Sequence, residues 1–121
     1  MRYANFSTIV SALALAVCVA LAGCHSRHID CTVENRTGAP VQLLEVDYPD
    51  ASFGVGALTP GQLYPYRFQV RGSGKLKVQY TGASGKQVHL IGPNLDEGDQ
   101  GILLIILLPD GKVQWVPSLS R

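Results

Sequence analysis

The chain has 121 residues, enough for one small domain. Ten Lys and Arg stand against nine Asp and Glu, a formal charge of +1 at pH 7. That balance excludes the global field that draws a basic protein to nucleic acid. The first element in chain order is an apolar leader: Arg2 is the only charge before Arg27, and Ile9 to Ala22 (IVSALALAVCVALA) is almost wholly apolar. This run has the length of a signal h-region and falls short of the roughly 20 residues a membrane-spanning helix needs.

Leu21-Ala22-Gly23-Cys24 closes the run and resembles the lipobox of bacterial lipoprotein precursors. The resemblance implies cleavage between Gly23 and Cys24, diacylglyceryl transfer to the Cys24 thiol, and often acylation of the new amino terminus. Residues 1–23 are then a signal peptide, 24–28 a short tether, 29–117 the domain and 118–121 a tail. One acyl chain, at about 0.8 kcal/mol per buried methylene, holds a protein marginally, whereas several hold it stably. In enteric-type lipoproteins an Asp after the cysteine retains the protein in the inner membrane. His25 stands there, which leans toward the outer membrane, facing the periplasm. The lipid on Cys24 is the one prosthetic group implied, with no cofactor. The partners expected are the membrane, through acyl chains, and an envelope protein, with neither nucleic acid nor a small-molecule substrate.

Three cysteines reduce to one thiol on this reading, because Cys18 leaves with the signal and Cys24 becomes a thioether. Cys31 then lacks an intramolecular disulfide partner in an oxidising compartment. Its place between Ile29 and Val33 at alternate positions points to burial as a small hydrophobe, with pairing between molecules as the alternative.

Ile29–Asn35 alternates apolar and polar residues, the period of a half-buried strand. After the turn Arg36–Pro40, Val41–Asp47 is a second strand. Its Leu43-Leu44 doublet is explained either by a bulge or by burial on both faces. Tyr48–Gly56 reads as a loop, Ala57-Leu58 as a brief edge strand, and Thr59–Gln62 as a turn with Pro-Gly at its centre. From Tyr64 to Arg71, Tyr64, Tyr66, Phe68 and Val70 share one side, and Pro65 argues for an edge or for the strand's first residues. Gly72–Gly74 is a tight connection into Lys75–Tyr80, and Lys86–Ile91 is a further strand. Gly92–Asp99 reads as an acidic loop and Gly101–Leu108, apolar on both faces, as the central core strand. Pro109–Lys112 supplies hairpin chemistry before Val113–Val116. Short strands, turn signals about every ten residues and no helical period describe an all-β fold. The expected architecture is a small antiparallel β-sandwich of immunoglobulin- or fibronectin-like Greek-key type, with a small barrel as second choice.

Few residues carry chemistry. Arg67, Arg71, Lys75, Lys77 and Lys86 form a run without an acid. Alternation sets Arg67, Arg71, Lys75 and Lys77 on the solvent side of one expected hairpin, a candidate surface for anionic headgroups, lipid A phosphates or an acidic partner. The plainer reading is a solvated face whose lysines deter edge-to-edge pairing. Asp96, Glu97 and Asp99 depart from the spacing of a calcium loop. His25, His28, Asp30 and Cys31 are types that bind zinc or copper, but they straddle a tether and a strand, so no metal site is assigned. His89 has no nucleophile elbow to serve, and no catalytic residue is assigned. Asn35-Arg36-Thr37 fits a glycosylation sequon that carries little weight in a bacterium.

Two readings of the domain follow. The first is a non-catalytic protein-interaction module docking through the basic face or through a sheet edge at Ala51–Gly56. The second is a binding module for cell-wall glycan or another small envelope ligand, with Tyr48, Tyr64, Tyr66 or Trp115 as stacking platforms. An open apolar edge or patch favours the first; Tyr48 and Trp115 around one concavity favour the second.

Overall fold

The computed structural model describes residues 26–121. Eight strands make two four-stranded sheets packed face to face. Sheet I has the order β4-β1-β7-β8 and sheet II the order β3-β2-β5-β6. The strands are β1 (Ile29–Asn35), β2 (Val41–Tyr48), β3 (Ala51–Leu58), β4 (Leu63–Phe68), β5 (Gly74–Thr81), β6 (Gln87–Leu95), β7 (Gln100–Leu108) and β8 (Lys112–Ser120). The expected sandwich is therefore present and no barrel closes. Pairing is antiparallel except at the centre of sheet I, where β1 and β7 run parallel. Among the described residues no helix is long and apolar enough to cross a membrane.

Alternation builds the core. Cys31 lies opposite Leu103 and Val33 opposite Ile105 in the β1–β7 register, and all four are buried. They meet Leu44 and Val46 of β2 with Leu76 and Val78 of β5, also buried, from sheet II. Each such side chain contributes about 1.5–3 kcal/mol when removed from water. The Cys31 thiol is part of this layer, and burial pushes its pKa up from 9.0 to about 12.

The Leu43-Leu44 doublet is a bulge. Gln42 pairs Thr81 and Glu45 pairs Gln79, so two residues of β2 oppose Tyr80 alone. Leu44 turns inward at 2% exposure, while Leu43 adopts a left-handed backbone (φ 52°) and stands 71% exposed.

Four expectations are corrected. The loop expected from Tyr48 to Gly56 is mostly β3, which pairs β2 along its length. No hairpin joins the strand at Tyr64–Arg71 to the one at Lys75–Tyr80, because β4 belongs to sheet I and β5 to sheet II. β6 continues past Ile91 to Leu95 through a second register shift, leaving a shorter acidic loop. β8 runs beyond Val116 to Ser120, so most of the expected tail is strand.

The sheets leave two open sides, and each is sealed differently. On the β6–β8 side the Trp115 ring lies on Gly92, where any Cβ would approach the ring to 2.7 Å. On the β3–β4 side five aromatics stack: Phe53 on Tyr66 with centroids 4.2 Å apart, Tyr48 on Phe68 at 4.0 Å, and Tyr64 beside Phe53. Burial, with Tyr66 nearby, raises the Tyr48 hydroxyl pKa.

Candidate functional site

Each sheet has two edges, and an unpaired edge is a template for another strand unless proline, charge or a bulge blunts it. β4 carries Pro65, β6 carries Pro93 at its register shift, and β8 carries Pro117. β3 carries none. Its eight residues, ASFGVGAL, include neither proline nor a charge. Only Phe53 and Leu58 are buried, and the exposed positions are Ala, Ser or Gly, small enough for a backbone to approach closely. The Tyr64 hydroxyl reaches the Gly54 carbonyl at 3.4 Å, a long contact across the seam. Leu43, on the neighbouring strand β2, shares a surface depression with Gly54, Val55 and Gly56.

A second feature is the outer face of sheet I. Ile102 and Leu104 alternate with the buried Leu103 and Ile105, so they project outward, 55% and 37% exposed. Their neighbours across the ladder continue the surface: Leu104 pairs Val116 of β8 and Thr32 of β1, and Thr32 pairs Pro65 of β4. Leu63 extends it at 56% exposure. The expectation that Gly101–Leu108 is the central core strand therefore holds for one of its faces; the other is open at Ile102 and Leu104 and closes at Ile106, which is buried.

The sequence candidates fall as follows. Gly23 and Cys24 lie outside the described residues, as does His25. The four cations do not share one face: Arg67 is on sheet I and bonds Asp30 at 2.8 Å, Lys75 and Lys77 are on sheet II, and Arg71 lies in the connection between them. Lys77 faces Asp47 across the ladder. Asp96 and Asp99 are taken by the Arg121 guanidinium, whose pKa they raise, and the Asp99 carboxylate also accepts from the Asp96 backbone N–H at 2.9 Å. Cys31 faces the core while Asp30 faces solvent, so these two cannot share an ion. Among the described residues no group of three His, Cys, Asp or Glu side chains is placed to hold a metal. His89 is exposed opposite Gln79.

Asn35 has a structural role that the sequon obscures. Its side chain is fully buried, donates to Ala39 O and Leu58 O, both at 2.9 Å, and accepts from the Thr37 hydroxyl at 2.7 Å. It clasps the end of β1 to the end of β3 and is closed to modification. An open pocket of about 440 Å³ lies at this same end, lined by Thr37, Tyr80, Lys86, Val88 and Asp110 among others. No nucleophile there faces a histidine base. Tyr48 and Trp115 sit on opposite seams and frame no common concavity.

No family model matches the chain, and no curated protein matches it. Among solved structures, the NMR structure of a protein from Eubacterium rectale superposes with a TM-score of 0.53. The two are 20% identical, and the alignment covers 78% of this chain and 89% of that one. At that identity the likeness is one of fold, which the two chains share.

Proposed function

We propose that this protein is a lipid-anchored lipoprotein of the bacterial envelope whose sandwich is a non-catalytic protein-interaction module. The observation that carries the interaction role is the β3 edge: alone among the four sheet edges it has no proline, and it has no charge either. Such an edge accepts an extended segment of a partner by main-chain hydrogen bonding, with side-chain pockets adding specificity. Leu43, exposed and held in a left-handed backbone on the neighbouring strand β2, adds an apolar side chain over the β3 glycines, within reach of a side chain of the incoming segment. The anchoring role rests on Leu21-Ala22-Gly23-Cys24 behind its apolar run. Diacylglyceryl on Cys24 holds the sandwich at the membrane, on the periplasmic side of the outer membrane.

The test guards the edge. Ser52 is exposed and nothing lies within 4 Å of a Cβ added at Gly56, so Ser52→Lys with Gly56→Lys leaves the core untouched. A photocrosslinker at Ala57 of the unguarded protein captures a discrete partner in cells, and the same probe in the double variant loses about tenfold of that product. Undiminished capture in a variant of unchanged Tm contradicts the edge as the docking site.

A further inference from the structure

We infer that the outer face of sheet I is a membrane-docking surface: Leu63, Pro65, Ile102, Leu104 and Val116 rest on the bilayer to which residue 24 is anchored. This rests on the anchoring proposed above and adds an orientation to it.

Three observations converge. The first is the patch itself. Pro65, Leu104 and Val116 lie in one row across the sheet, through Thr32, with Ile102 one step along β7 and Leu63 at the edge. Exposed aliphatic side chains gathered on one face of a small domain, here interrupted by Thr32, mark an interaction site.

The second is where the chain outside the described residues joins. β1 begins at Ile29, five residues after Cys24, and a fully extended tether spans at most about 3.3–3.6 Å per residue. Ile102 is paired with Asp30, the second residue of β1, and Leu104 with Thr32. With a strand rise of about 3.3 Å per residue, the patch starts within one or two residues of the point where the tether enters. A cysteine held at the bilayer surface therefore keeps this face within reach of the headgroups, and the tether is too short to carry the domain far from them.

The third is charge. Both acids of the face are neutralised in place: Arg67 bonds Asp30 at 2.8 Å and Arg36 bonds Glu34 at 2.9 Å. Lys112 stands at the far end of the same face, opposite Leu108. Arg36 and Arg67 thus leave no unpaired acid beside the apolar centre, and Lys112, with Asp110 in the adjoining turn, lies at its far end. That arrangement suits a surface bearing anionic lipid, because cations snorkel to headgroups while the aliphatic chains enter the interface. The outer face of sheet II lacks this character: Glu45, Asp47, Lys77, Gln79 and His89 occupy it, with Leu43 and Ile91 set singly among them.

The experiment uses the full chain, expressed in a bacterium that processes lipoproteins and reconstituted in phosphatidylethanolamine–phosphatidylglycerol vesicles containing a nitroxide-labelled lipid. An environment-sensitive thiol dye is placed at Ile102→Cys or Leu104→Cys on sheet I, and at His89→Cys on sheet II. All three positions are exposed, and the native Cys31 thiol is buried and escapes labelling. Two sheet I positions guard against misfolding of either variant. The expected result is co-flotation with the vesicles and quenching about threefold stronger at 102 and 104 than at 89. Co-flotation with equal quenching at all three positions overturns the docking face while leaving the anchor standing. Failure to co-float overturns the anchor and the docking face with it. A blue-shifted dye at 102 and 104 without lipid quenching shows that a protein surface or a second copy covers the face, and overturns the proposal as well.

Discussion

The two outer faces of this sandwich are built from the same strand geometry and carry opposite chemistry. On sheet II the outward residues of β2 and β5 are mostly polar and pair across the ladder, with Leu43 the exception: Glu45 accepts from Gln79, and Asp47 faces Lys77. On sheet I the outward residues of β7 are aliphatic, and their row continues into Val116 and Pro65. Folding stability explains the inward residues of both sheets, since Leu103, Ile105, Leu76 and Val78 are all buried. It does not explain Ile102 and Leu104, which gain little from remaining half in water. The difference between the faces therefore speaks of what each meets outside the molecule. The edges repeat the lesson, with proline at β4, β6 and β8 and none at β3.

The comparison breaks most completely if sheet I is pulled apart. Gly101 has φ +134°, and a Cβ there would lie 2.2 Å from the Ser118 carbonyl oxygen. Gly101→Ala forces backbone movement between β7 and β8, and the expected loss is at least about 3 kcal/mol in urea unfolding. A variant of unchanged midpoint would show that this strand pair tolerates separation.

The next effect separates the two sides of one strand. Leu103→Ala empties a fully buried site and is expected to lower stability by about 2–5 kcal/mol, whereas Leu104→Ala, on the open side, changes it by about 0.5 kcal/mol or less. Equal losses at the two positions would mean that the outer face is packed as a core.

An intermediate effect reads the inner layer through pH. The folded state keeps the Cys31 thiol protonated up to about pH 12, while the unfolded chain releases that proton from about 9.0. Between those values the unfolded state binds fewer protons, so stability is full below about pH 9 and declines as pH rises toward 12. Cys31→Val is expected to flatten that decline in denaturant titrations at successive pH values; an unaltered slope would remove the thiol from the account.

The smallest effect lies on sheet II. Lys77→Glu sets like charges opposite each other at Asp47 and is expected to destabilise by about 0.2–1 kcal/mol, less at high salt. A larger and salt-independent loss would show that this face is more tightly organised than a solvated ladder.

Strand existence was legible wherever one side of the chain alternates cleanly into the core. Ile29, Cys31 and Val33 announce β1, and Leu76, Val78 and Tyr80 announce β5. β3 escaped because Phe53 and Leu58 are its only buried residues and glycine fills much of the rest, so the period-two signal is too thin. The separation of β4 from β5 is not legible, because alternation reveals which side of a strand is buried but not which sheet it joins, and Gly72–Gly74 serves a crossover as well as a hairpin. Pro117 hid the second half of β8, since proline interrupts a central strand but not the outer side of an edge. Of the candidate surfaces, Ala51–Gly56 was visible as a docking segment, though as a loop. The apolar face of sheet I was hidden inside Gly101–Leu108, where outward and inward aliphatics look alike in one dimension.

The central claim is that fatty chains on residue 24 hold this sandwich at the envelope membrane, and mass spectrometry of the amino-terminal peptide from membrane-extracted protein tests it most directly. The account predicts a chain beginning at Cys24 whose first residue carries diacylglyceryl. A chain retaining Met1, or one with an unmodified Cys24 thiol, would contradict it.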